Sequence, residues 1–330
     1  MHDDHGGRAG RAALRVAQAA LIAAVLSAPS VARAYCRTTT GGLQPGCSIQ
    51  GTECCSLGKP LFWKNACIGY SIQKDASRQV TFAQATEKIG RAFGTWTGST
   101  CSTGPGAPGR VGIQVTDNGP VECGEVQYDT NGPNQHVIVF RDTVWDHSDS
   151  SNTLALTTMT FEPQTGEIYD ADMEVNTAQQ QVTVDDPIPQ NGYDFLSIVT
   201  HETGHFLGLA HTPDTAATMF AHYRPGSTTL RNLTADDVDG LCDAYPADGT
   251  RTSADDAKSA ADACDPTPRH GFTSACSAPG SGGTTTKSSC SAAPIERTRD
   301  VPIATAAIAL AAALGLRRRR ARGASCKGER

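Results

Sequence analysis

The tightest constraint in this chain is one run of spaced residues, His201-Glu202-Thr203-Gly204-His205-Phe206-Leu207-Gly208-Leu209-Ala210-His211. On an α-helix, residues four apart point within about 40° of each other, so His201 and His205 share a face and can grip one cation. Glu202 sits beside the first ring, where its carboxylate can reach a metal-bound water without ligating. Gly208 can take a left-handed conformation and end the helix. The chain can then turn so that His211 approaches from another direction. Three imidazoles leave a fourth coordination position open, which suits a catalytic zinc and not a structural one. At this composition the His-Glu-x-x-His core arises by chance in roughly one chain in a hundred, and with Gly208 and His211 added in roughly two in a hundred thousand. An amphipathic helix with exposed histidines would not explain those offsets.

The elements around this run are legible from periodicity. Asp194 caps a helix expected from Phe195 to Gly208. Thr81 and Gln84 form a capping box, and Phe82, Ala85, Ile89, Phe93 and Trp96 recur at helical spacing, so a helix is expected from Thr81 to Trp96. Thr234 and Asp237 form another capping box, ahead of a last helix with Val238, Leu241 and Tyr245 on its buried face. Strands are expected at Ile68 to Ile72, at Val111 to Val115, at His136 to Phe140, at Leu154 to Phe161 and at Gly166 to Asn176. A helix, several strands and further helices predict a mixed α/β core.

The ends of the chain read differently. Arg8, Arg11 and Arg15 precede an apolar stretch from Val16 to Leu26, and Ala32-Arg33-Ala34 offers small residues for cleavage before Tyr35. This is the pattern of a secretory signal peptide. Twelve cysteines in an exported chain imply disulfides. Eight lie in the body, at Cys36, Cys47, Cys54, Cys55, Cys67, Cys101, Cys123 and Cys242; their pairing is open, with Cys101 to Cys123 a reasonable guess. A thiolate metal site is the weaker alternative, because no CxxC pair exists. The net charge is -6, and no basic stripe with interleaved aromatics appears, which argues against nucleic-acid binding.

The histidine run resembles the motif of the metzincin zinc endopeptidases, HExxHxxGxxH followed by a methionine turn. Met219, in Ala217-Thr218-Met219-Phe220, lies at the distance from His211 found in the matrixin branch, and Leu233 to Tyr245 resembles that branch's last helix. The resemblance implies a metzincin-like zincin fold: a mixed, mostly parallel twisted sheet with an active-site helix and a C-terminal helix. It implies one catalytic zinc on His201, His205 and His211, Glu202 as general base, and Met219 as an apolar floor. It also implies a peptide lying extended along an edge strand, for which Leu154 to Phe161 is the candidate. The chain departs from the family in showing no cysteine-switch propeptide motif and in its strand region. Leu154 to Asn176 has no histidine, so the second, structural zinc of matrixins is not expected, and His147 with Asp149 cannot rebuild it. Asp170, Asp172 and Glu174 alternate on one strand face, as in a family calcium site; a solvated acidic face is the alternative.

The C-terminal tail carries Cys290, an apolar run from Val301 to Leu316, and Arg317 to Arg320. The run is shorter than the ~20 residues of a typical membrane span. The pattern resembles the C-terminal sorting tags of myxobacterial surface proteins, in which a membrane protease cuts near the cysteine and anchors it; by that analogy Cys290 is the candidate, with Cys276 second, and an ordinary short membrane anchor is the alternative.

The expected organisation is a signal peptide at 1–34, a Cys-rich segment at 35–66, a catalytic domain at 67–246, a flexible linker at 247–289 and a sorting tag at 290–330. The expected function is hydrolysis of extracellular proteins or peptides by an exported or surface-anchored zinc endopeptidase. A non-catalytic zinc-containing surface adhesin is the competing class, against which the intact Glu202 speaks. An esterase or amidase is a third.

Overall fold

The computed structural model describes residues 35–42, 54, 56–147, 151–253, 257–276, 286–294 and 327–329, the last two stretches chiefly by their backbone. The expected signal peptide, Cys47, Cys55, Asp149 and the apolar run with its arginines lie outside the described residues.

The principal elements in chain order are β1 (Asn65–Gln73), α1 (Phe82–Thr97), β2 (Gln114–Val121), β3 (Val137–Phe140), β4 (Ala155–Phe161), β5 (Ile168–Val175), α2 (Phe195–Phe206), β6 (His222–Tyr223), α3 (Ala235–Ala244), β7 (Asp262–Cys264), β8 (Thr286–Pro294) and β9 (Lys327–Glu329). The strands form one nine-stranded mixed sheet in the order β6-β8-β4-β5-β3-β1-β7, with β2 on the other side of β1 and β9 on β8. Strands β1, β2, β3, β5 and β7 run parallel where they pair, while β4 is antiparallel to β5. This is the mixed α/β core that the periodicity predicts, with the mostly parallel sheet that the metzincin resemblance implies.

Local chemistry sets the helix boundaries. Thr81 and Gln84 satisfy each other's backbone N–H groups at the start of α1. Asp194 accepts the Ser197 N–H at 3.0 Å at the start of α2, and two Arg231 nitrogens hold the same carboxylate at 2.7 and 2.9 Å. Ala85, Ile89, Ala92, Phe93 and Trp96 bury one face of α1, and α1 packs on α2. The Trp96 indole N–H donates to the Thr200 carbonyl at 2.8 Å, joining the two helices by a buried polar contact as well as an apolar one.

Four expectations need correction. The strand expected at Val111 to Val115 begins only at Gln114, because the Val111 and Gly112 N–H groups are spent on Ser99 and Tyr245 carbonyls. Cys101 pairs with Cys242 and not with Cys123. The short ladder of Thr100–Cys101 with Gly109–Arg110 lies against α3, which carries Cys242. Cys123 pairs with Cys276 and Cys67 with Cys264, so two bridges leave the body for the stretch expected as a free linker. That stretch is therefore tied down as far as Cys276. Its second anchor is Arg251, wholly buried, which donates to the carbonyls of Trp63, Asn65 and Gly112 at 2.8 to 3.0 Å and lies over the Tyr245 ring. Finally, Ala155–Phe161 is not an open edge, since β8 pairs with it along its whole length.

Candidate metal centre

Helix α2 is buried from Phe195 to Phe206. Trp63 and Tyr245 receive its C-terminal end: the Trp63 indole N–H donates to the Phe206 carbonyl at 2.7 Å and the Tyr245 hydroxyl to the Leu207 carbonyl at 2.9 Å. These donors satisfy carbonyls that a helix end leaves without partners. Gly208 then takes φ +86°, and a side chain there would meet the Leu61 carbonyl oxygen at 2.8 Å. Both the conformation and the space call for glycine. Beyond the turn, Leu209–Ala210 pairs with Cys36–Arg37, and Thr38 donates to the Gly208 and Leu209 carbonyls. The Cys-rich N-terminal segment thus braces the loop that delivers His211, and Cys36–Cys54 staples the segment itself.

The three rings converge. The Nε2 atoms of His201, His205 and His211 lie 3.1 to 3.2 Å from one another. Two nitrogens on a tetrahedral zinc, each about 2.0–2.1 Å from it, would stand about 3.3 Å apart. His201 Nδ1 donates to the Thr218 carbonyl at 2.6 Å and His205 Nδ1 to the Leu209 carbonyl at 2.9 Å. With Nδ1 carrying the proton, both Nε2 atoms present lone pairs to the same point. Lone pairs this close repel unless a cation lies among them, so the donor set fits zinc. Burial pushes His201 down to about 4, and burial together with the His201 charge holds His205 well below the usual histidine range. Both rings are therefore neutral, the state a metal requires, at ordinary pH. Among the described residues, this is the one group whose ligand atoms come together in a cluster fit for a metal ion.

Two partners hold the surroundings. Glu202 is buried, and its Oε2 accepts from the Thr157 hydroxyl of β4 at 2.6 Å. Met219 is buried against Gly204, where any β-carbon would meet the Met219 sulfur at 2.2 Å and Trp96 at 2.8 Å. The glycine between the two histidines is thus what lets the methionine lie under them. The turn bearing Met219 is fixed by Asp237 of α3, which accepts from the Thr218 and Met219 N–H groups at 2.8 and 3.0 Å.

The sequence matches the profile of the Matrixin family over residues 62–246, more than half of the chain. The chain belongs to the matrixin family. Relatives include the "Probable matrix metalloproteinase 095L" of Invertebrate iridescent virus 3, 34% identical over 103 residues, which is 31% of this chain and 27% of that protein. The "Metalloendoproteinase 1-MMP" of Arabidopsis thaliana is 30% identical over 105 residues, covering 30% of this chain and 27% of the relative. The human "Neutrophil collagenase" is 41% identical over 49 residues, 15% and 10% of the two chains. The matches thus span about a quarter of the relatives' length or less.

The acidic face of this matrixin domain is arranged unlike an open calcium site. Asp170 and Asp172 are buried, and burial with the Asp170 charge pushes Asp172 well above the usual carboxylate range. The Asp172 carboxyl also accepts the Val137 N–H at 2.7 Å. Glu174 is taken up by Arg141 Nε at 2.6 Å and His147 Nε2 at 2.8 Å. Sequence reasoning missed Thr157, Arg251 and the grip of Asp237 on the methionine turn. The capping pattern marked Asp237 but gave no sign of that second task.

Proposed function

We propose that this chain is an exported zinc metalloendopeptidase, with His201, His205 and His211 as metal ligands and Glu202 as general base. The single observation that carries the proposal is the convergence of three Nε2 lone pairs beside a buried carboxylate. When bound, zinc supplies the Lewis acidity that acidifies a water and polarises the scissile carbonyl. Thr157 donates to Oε2 of Glu202 and so holds the carboxylate in one orientation. Glu202 takes a proton as water attacks the carbonyl carbon, then passes it to the leaving amine as the C–N bond breaks. Met219 and Trp96 pack the floor beneath the histidine helix and hold the ring pair in place. Protein and peptide substrates follow from the family. Glu202→Gln is expected to keep zinc while its turnover of casein drops roughly a thousandfold; turnover equal to that of the unaltered enzyme would overturn the assignment.

A non-catalytic adhesin would have no use for a buried Glu202 oriented by Thr157. Calcium forms no part of the proposal, because Glu174 is taken up by Arg141 and His147 and Asp172 accepts from the Val137 N–H. Export is supported by the N-terminal pattern and by four disulfides among the described residues. Surface anchoring through Cys290 rests on the tail pattern alone. Mass spectrometry of the mature C-terminus tests it: a new C-terminus near Cys290 is expected, and intact residues after Leu316 would exclude processing.

A further inference from the structure

We infer that Arg251 is a positioning residue for the metal centre: acting through Trp63 and Tyr245, it holds the turn that delivers His211. This role rests on the proposed zinc-peptidase reading of the site. Arg251 lies beyond the matched matrixin region, which ends at residue 246, in a short antiparallel ladder of Thr250–Thr252 with Lys258–Ala260. Its Nε donates to the Trp63 carbonyl at 2.8 Å, and its Nη2 to the Asn65 and Gly112 carbonyls at 3.0 and 2.9 Å. The guanidinium carbon stands 4.9 Å from the centre of the Tyr245 ring. Trp63 and Tyr245 are also joined to each other, since the Trp63 N–H donates to the Tyr245 hydroxyl oxygen at 3.2 Å. One wholly buried cation therefore touches both residues. A buried guanidinium persists only where its N–H groups find acceptors, so its neighbours are held in a narrow geometry.

The same two residues finish the zinc helix. The Trp63 indole donates to the Phe206 carbonyl and the Tyr245 hydroxyl to the Leu207 carbonyl, at the first and second residues after His205. Phe206 and Leu207 are buried, so these carbonyls depend on protein donors and not on solvent. Gly208 then reverses the chain, and the Leu209 carbonyl accepts from His205 Nδ1 at 2.9 Å. The turn thus governs two ligands: it orients the His205 ring through Leu209, and it carries His211. An arginine that only fastened the tail could use any acceptors on the body. This one bears on the two residues that end the helix.

The test uses full-length protein carrying Arg251→Met or Tyr245→Phe, and both together. The second change removes one hydroxyl and keeps the ring. Zinc dissociation constants are measured by competition with a chromogenic chelator, at a temperature where unfolding curves show every variant folded. Each single variant should bind zinc about tenfold more weakly, the lower end of what loss of a ligand's supporting contacts costs. The double variant should fall well short of the roughly hundredfold product, because both changes act on one connected set of contacts. Unaltered affinity in the Arg251 variant, or a fully multiplicative pair, would overturn the inference. A second arm uses zinc-free protein. Hydrogen exchange at residues 207–211 should accelerate more than exchange in α1, whereas a general loss of stability would speed both alike, and that outcome would also overturn it. If Arg251→Met does not fold, Arg251→Lys takes its place with the same direction expected. If the unaltered protein binds no zinc, the peptidase reading fails, and the exchange comparison alone decides the role of Arg251.

Discussion

Two stretches of this chain, residues 195–245 and the described residues between 247 and 276, belong to the same body and are written in opposite ways. In the first, function and packing use residues whose spacing is itself a message: two histidines four apart, a glycine at the turn, a third histidine beyond. In the second, attachment depends on two disulfide partners and one buried arginine. None of these has a period. Spacing therefore reads the first stretch as a metal centre and composition reads the second as a spacer; the three histidines of the first do converge, whereas the second is cross-linked to the body. The difference teaches that periodicity reports burial against a continuous apolar core. It is silent about attachment through backbone carbonyls and cross-links, which need a partner but no pattern.

The largest effect is expected from breaking the first stretch. His211→Ala should abolish stoichiometric zinc, measured by elemental analysis, and reduce peptidase activity at least about ten-thousandfold, roughly 5 kcal/mol in activation terms. Full zinc retention would show that the loop histidine is not a ligand. The second stretch is tested by Arg251→Met. That change leaves the carbonyls of Trp63, Asn65 and Gly112 without their buried donor. Urea unfolding should show a loss of about 3 kcal/mol, and a loss under 0.5 kcal/mol, the range of ordinary surface changes, would return residues 247–276 to the status of a spacer.

A smaller effect is expected from pH. His201 has its folded value near 4 against 6.5 ordinarily. Between those values the unfolded chain binds the additional proton, so stability falls as the pH falls through that window. For chelator-treated protein, the first unit of acidification below 6.5 should cost about 1 kcal/mol, with the Tm declining further towards pH 4. Zinc occupancy should decline over the same range, because only the neutral ring ligates. A Tm that rises on acidification would contradict the burial of the ring.

Much of the fold was legible because its signals are local. The capping box at Thr81 and Gln84 placed α1 to within a residue of its observed start, and the stretch expected at Leu154 to Phe161 became β4. The convergence of His201 and His205 was legible because helix geometry maps spacing onto direction. Thr157 was not: a threonine in a strand is ordinary, and its bond to Glu202 spans 45 positions. The pairing of Cys101 with Cys242 spans 141. Contacts at such separations follow from how the sheet and helices are stacked. The release of β4 as an open edge was misread for the same reason, since its occupant arrives from far along the chain.

The grip of Asp237 on Thr218 has a practical consequence for protein engineering. The peptide group between Thr218 and Met219 donates to Asp237 through the Met219 nitrogen and accepts from His201 through the Thr218 oxygen, so a single amide relays the position of the final helix to the first ring. A transplant that carried the histidine signature and its methionine into a foreign scaffold would leave that amide untethered. The recipient would have to bring its own carboxylate to the same spot, or the first imidazole would be free to swing out of alignment.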